Sequence, residues 1–425
     1  IYGITSNSQN HWIIVGYTES NNNISTPNVH QQQHSQYTKD GFLGTIDNDG
    51  QWIMGTYYGG SGTDILYDVK TDKADNIFVI GISDSNDNIS FGNSYQSSNK
   101  GVNDAILASF TKLGKINFGT YIGTNGQEEF KNLSYFNNQV LISGTTSSQH
   151  FPTTSNALYT TPQNLTNNIS SAFCIFDNNG NMLLSSYYPA ILEDTTFDIE
   201  GNFYLAGKIL EPNFATPDAF QTTLFGTDDS FISKYDKNAQ VVWRTYYGGN
   251  GAEKDTKIEF DETSRSIIIG GSTLSRSRIA TPGANQTLPY DNFWETFLGK
   301  LQDCSSMVAV TSNSPICVGS NIDLKASGGT NYSWTGPNGF TSSLQNPIIT
   351  NATTANSGIY HCHITGTGGC DDTYPVNVFV GDVEKPIPDN PNLPKLTGDC
   401  NFVVTIIPTA TDKCAGKITA TTTDP

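Results

Sequence analysis

The sequence predicts an all-β chain: five four-stranded β-propeller blades followed by β-sandwich modules. Three recurring markers carry that expectation. A seam phrase, Thr-Tyr-Tyr-Gly-Gly, stands at 56–60 and 245–249, with shorter forms at Thr120-Tyr121-Ile122-Gly123 and Ser186-Tyr187-Tyr188. An apolar run ends in glycine at Gly16, Gly81, Gly144, Gly207 and Gly270, spaced by 65, 63, 63 and 63 residues. A small residue followed by an apolar one recurs at Gly41-Phe42, Ala105-Ile106, Ala172-Phe173, Ser230-Phe231 and Thr296-Phe297. Three markers in one order and phase define a repeat, and such units stack on their neighbours to build a core.

The second repeat shows the plan of one unit. Ile65 to Thr71 reads as its first strand, and Lys73-Ala74-Asp75-Asn76 turns the chain. Ile77 to Ile82 is a continuous apolar strand, followed by a polar stretch from Asp84 to Asn103. Ala105 to Phe110, a turn at Leu113-Gly114, and Ile116 to Tyr121 complete it. Four short strands, two tight turns and one long polar loop make a blade. The glycine that ends the second strand marks a close approach of backbones. Turns recur at Asp47-Asn48-Asp49-Gly50, Asp177-Asn178-Asn179-Gly180 and Glu200-Gly201-Asn202. The repeats run 1–58, 59–123, 124–188, 189–248 and 249–303. Ile1-Tyr2 aligns with Leu66-Tyr67, inside a blade, so the expectation is a larger ring with further blades upstream. Strand alternation predicts that one tyrosine of each doublet, at 57–58, 187–188 and 246–247, packs between blades while its neighbour faces out. An outward tyrosine would offer a sugar a stacking platform.

Composition narrows the function classes. A net charge of −18 with only 22 basic residues argues against nucleic-acid or anionic-membrane partners, which need clustered Lys and Arg. Charged residues are 15% and aromatics 11%, the profile of a turn-rich extracellular protein. No apolar run reaches membrane-spanning length. Catalytic motifs are missing: no Gly-x-Ser-x-Gly, no phosphate-cradling glycine loop, no His-Glu-x-x-His. His361 and His363 share one strand face, without further ligands at metal-site spacing. The Asp/Asn/Gly turns at 47–50 and 177–181 lack a full calcium ligand set and read as hairpins.

At this point a resemblance enters. The run Gly201-Asn202-Phe203-Tyr204-Leu205-Ala206-Gly207, then Thr216-Pro217-Asp218-Ala219-Phe220-Gln221, then Asp229-Ser230-Phe231 is similar to the β-propeller repeats of secreted bacterial surface proteins common in the Bacteroidota. It covers roughly residues 1–303 and implies a fold and an extracellular or cell-surface location, not an activity. Residues 304–381 resemble an immunoglobulin-like domain, with Trp334 on strand C and Tyr360 two before Cys362, the tyrosine-corner spacing. Ala326 stands where a strand B cysteine is usual, which leaves Cys362 as a buried thiol. Residues 382–425 read as a Pro-rich linker followed by a segment that resembles the start of a hyalin-repeat-like β-sandwich module, which is expected to continue beyond Pro425. Proteins of this kind resemble type IX secretion cargo.

Cysteines crowd the chain after residue 303, which fits an oxidising compartment. Cys400 and Cys414 form a local pair; Cys304, Cys317, Cys362 and Cys370 allow three complete pairings. The resemblance implies Cys317 with Cys370. Cys174 is expected as a lone buried thiol.

The expected function is a non-enzymatic secreted or surface binding and adhesion protein, with the propeller as recognition head and the sandwich modules as spacer. Alternatives are a carbohydrate-active enzyme with its site in the propeller funnel, and a passenger bound to outer-membrane secretion machinery. The partner is then a surface glycan or a protein. The long loops, 19–39, 84–103, 146–170, 210–228 and 275–294, are expected to carry recognition on the face of the seams. Counting eight residues from the Thr or Ser that opens each seam gives Asp64, Glu128, Asp194 and Glu253. Two readings follow: each carboxylate fixes its own Gly-rich turn, or together they ring a channel mouth and hold Ca²⁺.

Overall fold

The computed structural model describes the chain except residues 36–37, 164–168, 218, 282, 289–292, 303–307, 366–370, 394, 396–406 and 422–425. The chain divides into two units, Ile1–Leu301 and Gln302–Pro425. Among the described residues the fold is all-β, and no helix is long and apolar enough to cross a membrane.

Four antiparallel four-stranded sheets follow one another in the first unit. The first holds β1 (Gly3–Ser6), β2 (Trp12–Thr18), β3 (Asp40–Ile46) and β4 (Trp52–Tyr58). The second holds β5 (Asp64–Thr71), β6 (Ile77–Ser83), β7 (Asp104–Phe110) and β8 (Ile116–Ile122). β9 (Glu128–Phe136), β10 (Gln139–Thr146), β11 (Ser170–Asp177) and β12 (Met182–Tyr188) form the third. β13 (Ile191–Phe197), β14 (Phe203–Ile209), β15 (Asp229–Tyr235) and β16 (Val241–Tyr247) form the fourth. A fifth sheet, β17 (Glu253–Asp261), β18 (Ser266–Thr273) and β19 (Glu295–Gln302), has three strands among the described residues.

The continuous apolar strands exist because each middle sheet buries both faces. Along β6, Ile77 and Val79 join a core shared with the first sheet, while Phe78 and Ile80 join one shared with the third. β11 divides the same way: Ala172, Cys174 and Phe176 face the second sheet, Phe173 and Ile175 the fourth. A last core, with Tyr204, Ile232, Ile258 and Phe297, joins the fourth and fifth sheets. Each buried Ile or Phe contributes about 1.5–3 kcal/mol. The strand-ending glycines let the backbones close: a Cβ on Gly81 would lie 2.0 Å from the Ile65 carbonyl oxygen, where β5 bulges.

Two-sided burial also corrects the tyrosine expectation. Tyr57, Tyr58, Tyr187, Tyr188 and Tyr246 are all fully buried and Tyr247 nearly so, so neither member of a doublet faces solvent or offers a sugar platform. The first of each doublet donates its hydroxyl to a backbone carbonyl: Tyr57 to Ser20 at 2.9 Å, Tyr187 to Ser148 at 2.8 Å, Tyr246 to Glu211 at 2.7 Å.

Hairpin turns close on their own aspartates. Asp177 Oδ1 accepts the N–H groups of Asn179 at 2.8 Å and Asn181 at 2.9 Å, and Gly180 supplies a φ of +84°. Asp47 does the same for Asp49 and Gln51. The long loops are partly tied down by backbone bonds. The first four run along the outer strand of their own sheets, with backbone bonds Thr26–Gly55, Phe91–Gly119, Thr154–Ser185 and Thr216–Arg244. They cover the fourth-strand edge that would otherwise be left open.

The first strands of successive sheets pack against each other, β1 on β5, β5 on β9, β9 on β13 and β13 on β17. Asp68 Oδ2 accepts the Leu133 N–H at 3.0 Å and Asp194 Oδ2 that of Ile258 at 2.9 Å. Lys257 of the fifth sheet donates to Asn132 Oδ1 of the third at 3.0 Å.

The second unit begins with two sheets. β20 (Ala309–Ser312), β21 (Ile322–Ser327) and β24 (Ile348–Ile349) form one; β22 (Asn331–Gly336), β23 (Phe340–Ser342), β25 (Gly358–Thr365) and β26 (Asp371–Val378) form the other, in the order β23-β22-β25-β26. Trp334 is fully buried opposite Cys362, with Leu324 and Ala326 in the same core. Tyr360 donates its hydroxyl to the Asn356 carbonyl at 3.0 Å, closing the tyrosine corner. A small third sheet follows: β27 (Ile387–Pro388), β28 (Thr409–Asp412) and β29 (Gly416–Thr419).

The cysteine pairing differs from the expectation. Cys317 is disulfide-bonded to Cys414, across 97 residues of sequence, so neither Cys317–Cys370 nor Cys400–Cys414 forms. The reason is tertiary. Ile316 bonds Phe379 and Gly381 through the backbone, which lays the chain leaving β26 beside residues 315–317; the β28–β29 turn then carries Cys414 to Cys317. Cys304, Cys370 and Cys400 lie outside the described residues. Cys174 and Cys362 are buried free thiols.

Candidate functional site

The sequence points first to the acids after the seams. Asp64, Glu128 and Glu253 occupy one register position, opening β5, β9 and β17, and all three are fully buried. Each accepts an N–H from its own seam: Gly60 to Asp64 at 2.8 Å, Thr124 to Glu128 at 3.3 Å, Gly249 to Glu253 at 3.2 Å. Each also accepts a serine hydroxyl from beyond the second strand: Ser85 at 2.8 Å, Ser148 at 2.5 Å and Ser275 at 2.5 Å. The carboxylates therefore serve their turns.

Asp194 does not belong to this set. It lies opposite Ala206 in β14, as Asp68 lies opposite Ile80 in β6, and its equivalent is Asp68. The fixed count of eight fails because the third seam is short: only Pro189-Ala190 separates Tyr188 from β13, where Gly59 to Thr63 separate Tyr58 from β5. Among the described residues no three His, Cys, Asp or Glu side chains gather as a metal-holding group, these four carboxylates included. His361 and His363 are exposed on β25.

The seams carry a lattice that sequence reading missed. An aspartate opens the third strand of the first, second and fourth sheets: Asp40, Asp104 and Asp229. A glutamine from the preceding loop donates to it: Gln31 to Asp40 at 3.3 Å, Gln96 to Asp104 at 2.5 Å, Gln221 to Asp229 at 2.7 Å. The same glutamine accepts the first seam glycine's N–H, from Gly59 at 3.1 Å, Gly123 at 3.2 Å and Gly248 at 3.0 Å. The third sheet lacks every member: Tyr159 stands for the glutamine, Ser170 for the aspartate, Ala190 for the acid. The signal was in the sequence, as Gln eight or nine residues before Asp, but alignment on the aromatic phrases hid it.

Each lattice brings two carboxyls around one glycine. A Cβ on Gly59 would meet both Asp64 and Asp40, and one on Gly123 both Glu128 and Asp104. Burial pushes Asp64 and Asp104 up to about 6, and Glu128, Asp229 and Glu253 upward as well. The pairs cannot work on a sugar, because no solvent reaches them.

Solvent does reach a recess between the seam ends of the second and third sheets. It measures ≈ 400 Å³, and Thr63, Asp84, Asn103, Gln127, Glu129 and Ser147 supply its polar lining. Asn103 and Gln127 are held side by side by a parallel bridge.

Comparison with known proteins reaches only part of the chain. No curated protein matches it. Among solved structures, the N-terminal four Ig domains of Dscam1 isoform 1.9 are 8% identical over 87% of this chain and 91% of that one, at a TM-score of 0.16. Dscam1 isoform 4.44 gives 9%, 90%, 97% and 0.15, and Sidekick-1 immunoglobulin domains 1–5 give 7%, 87%, 74% and 0.15. TM-scores this low carry no argument about architecture. Residues 306–380 match the immunoglobulin domain family, which identifies the two-sheet module of the second unit as immunoglobulin-like.

Proposed function

We propose that the chain is a non-enzymatic, secreted or cell-surface binding protein. In this reading the five sheets of the first unit are blades of a β-propeller, the recognition head. The immunoglobulin-like module and the hyalin-repeat-like segment after it act as spacer. Support for the blade reading comes from the first strands, which pack in series and meet across the middle through Lys257 and Asn132. The secreted, Bacteroidota-type origin and type IX export rest on the repeat's resemblance alone.

The observation that carries the binding role is the ≈ 400 Å³ recess at the seam face. Its lining supplies amide, hydroxyl and carboxylate groups, with Val102 and Ile169 at its side, which suits the hydroxyls and ring faces of a glycan or an extended polar segment of a protein. An array of surface glycans and peptides tests it. The parent chain is expected to retain a ligand that Asn103→Lys combined with Gln127→Lys loses at least roughly tenfold, as removal of two hydrogen-bonding groups requires. Equal retention by parent and variant would remove the recess from the reading.

A further inference from the structure

In the first, second and fourth sheets the work of the fourth strand is repeated position by position. Its threonine accepts the N–H of the lattice glutamine: Gln31 to Thr56 at 3.0 Å, Gln96 to Thr120 at 2.9 Å, Gln221 to Thr245 at 2.9 Å. The following tyrosine returns its N–H to the carbonyl of that glutamine, at 3.1 Å in all three. Its hydroxyl reaches the loop after the second strand, and the glycine two residues on donates its N–H to the glutamine's Oε1.

The fifth sheet carries the receiving half of this lattice without a fourth strand among the described residues. Gln286 is already set: its Nε2 donates to the Leu288 carbonyl at 3.1 Å and to Glu295 Oε2 at 2.6 Å, as Gln96 does to Ser98 and Asp104. Ser275 binds Glu253 as Ser148 binds Glu128. Along β19 lies a groove of ≈ 510 Å³, lined by Tyr247, Ile279, Phe297 and Leu298 among others, and Leu298 is 79% exposed.

We propose that this groove binds an extended peptide strand carrying Thr-Tyr-(aromatic or aliphatic)-Gly, laid antiparallel on β19 so that its tyrosine lies opposite Phe297. The register follows from Phe42–Tyr57, Ile106–Tyr121 and Phe231–Tyr246. The glycine is required because glutamine and a carboxylate accompany it in three sheets, and all are lost together in the third. A second folded copy is not the occupant, since its four such strands already lie inside sheets. The proposal does not rest on the blade reading or on the recess above.

Two synthetic peptides copied from this chain test it against the whole 425-residue protein. One spans 241–250, Val-Val-Trp-Arg-Thr-Tyr-Tyr-Gly-Gly-Asn; the other spans 182–190, Met-Leu-Leu-Ser-Ser-Tyr-Tyr-Pro-Ala. The first is expected to bind saturably in calorimetry and to raise the melting temperature of the first unit. The second, without the glycine, is expected to bind roughly tenfold more weakly, and Gln286→Ala to weaken the first by a similar factor. No saturable binding of the first peptide, or equal binding of a scrambled one, overturns the proposal. So does a concentration-dependent dimer, seen by sedimentation, that Leu298→Lys abolishes and the peptide leaves intact, because β19 would then pair with itself.

Discussion

The two units of this chain are stabilised in different ways. Every middle sheet of the first unit is covered on both faces by its neighbours, and that unit holds a single cysteine, Cys174, buried and unpaired. Its polar content is internal: buried carboxyls, glutamines and serines tie the seams. The second unit has smaller sheets, one shared core around Trp334, and a covalent tie from Cys317 to Cys414. Burial per residue grows with the size of the packed body, so a long stack holds itself where small modules need a staple. Depth in the first unit comes from repetition, and the second adds the Cys317–Cys414 crosslink to its core.

The comparison breaks most sharply at a seam tyrosine. Tyr187→Ala removes a fully buried ring and the hydroxyl that meets Ser148, and is expected to cost the first unit about 3–5 kcal/mol. Denaturant unfolding followed by calorimetry should show the first unit's transition shifted and the second unit's in place; a shift of both would mean the units unfold as one. Next in size, Cys317→Ser is expected to cost the second unit about 2–4 kcal/mol, the range for a native bridge closing a long loop. Dithiothreitol should cost the parent at least that much, and more than it costs the variant.

The smallest effect sharpens the role of the buried acids. Asp64 and Asp104 titrate at about 6 when folded, through burial, and near 3.9 when unfolded. The folded unit therefore binds more protons between those values. This contribution is fully present below about pH 4 and is lost as pH rises through about 6. Asp87, held low by the Ser61 N–H and hydroxyl, acts in the opposite direction. Going from pH 5 to pH 7.5 is expected to lower the first unit's stability by on the order of 2 kcal/mol. Asp104→Asn should flatten a good part of that slope without changing the second unit. A pH-independent melting temperature in the parent would mean that the seam carboxyls are better solvated than their burial implies.

The repeat was legible because stacked sheets impose the same demands at the same phase. Apolar runs that would look ambiguous singly, such as Ile77–Ile82, became strands once they recurred five times. The tyrosine corner and the Trp334 core were legible for a similar reason, since both are set by local spacing. The lattice of Gln96, Asp104 and Glu128 was not, because its members come from three elements and meet only when two sheets dock. Asp194 was misplaced by counting through a seam of constant length, which Pro189-Ala190 does not have.

By itself, the sequence determined the strand periods, the five-fold repetition, the hairpin turns built on Asp47 and Asp177, and the immunoglobulin-like module. These follow from local rules of alternation, turn chemistry and aromatic spacing. Only the tertiary structure decided that both tyrosines of each doublet are buried, that the first four long loops lie along their own outer strands, that Cys414 meets Cys317, and that β19 has no outer partner strand among the described residues. Those outcomes depend on what packs against the second face of a strand and on which chain ends are brought together, and neither quantity is written in the spacing of residues along the chain.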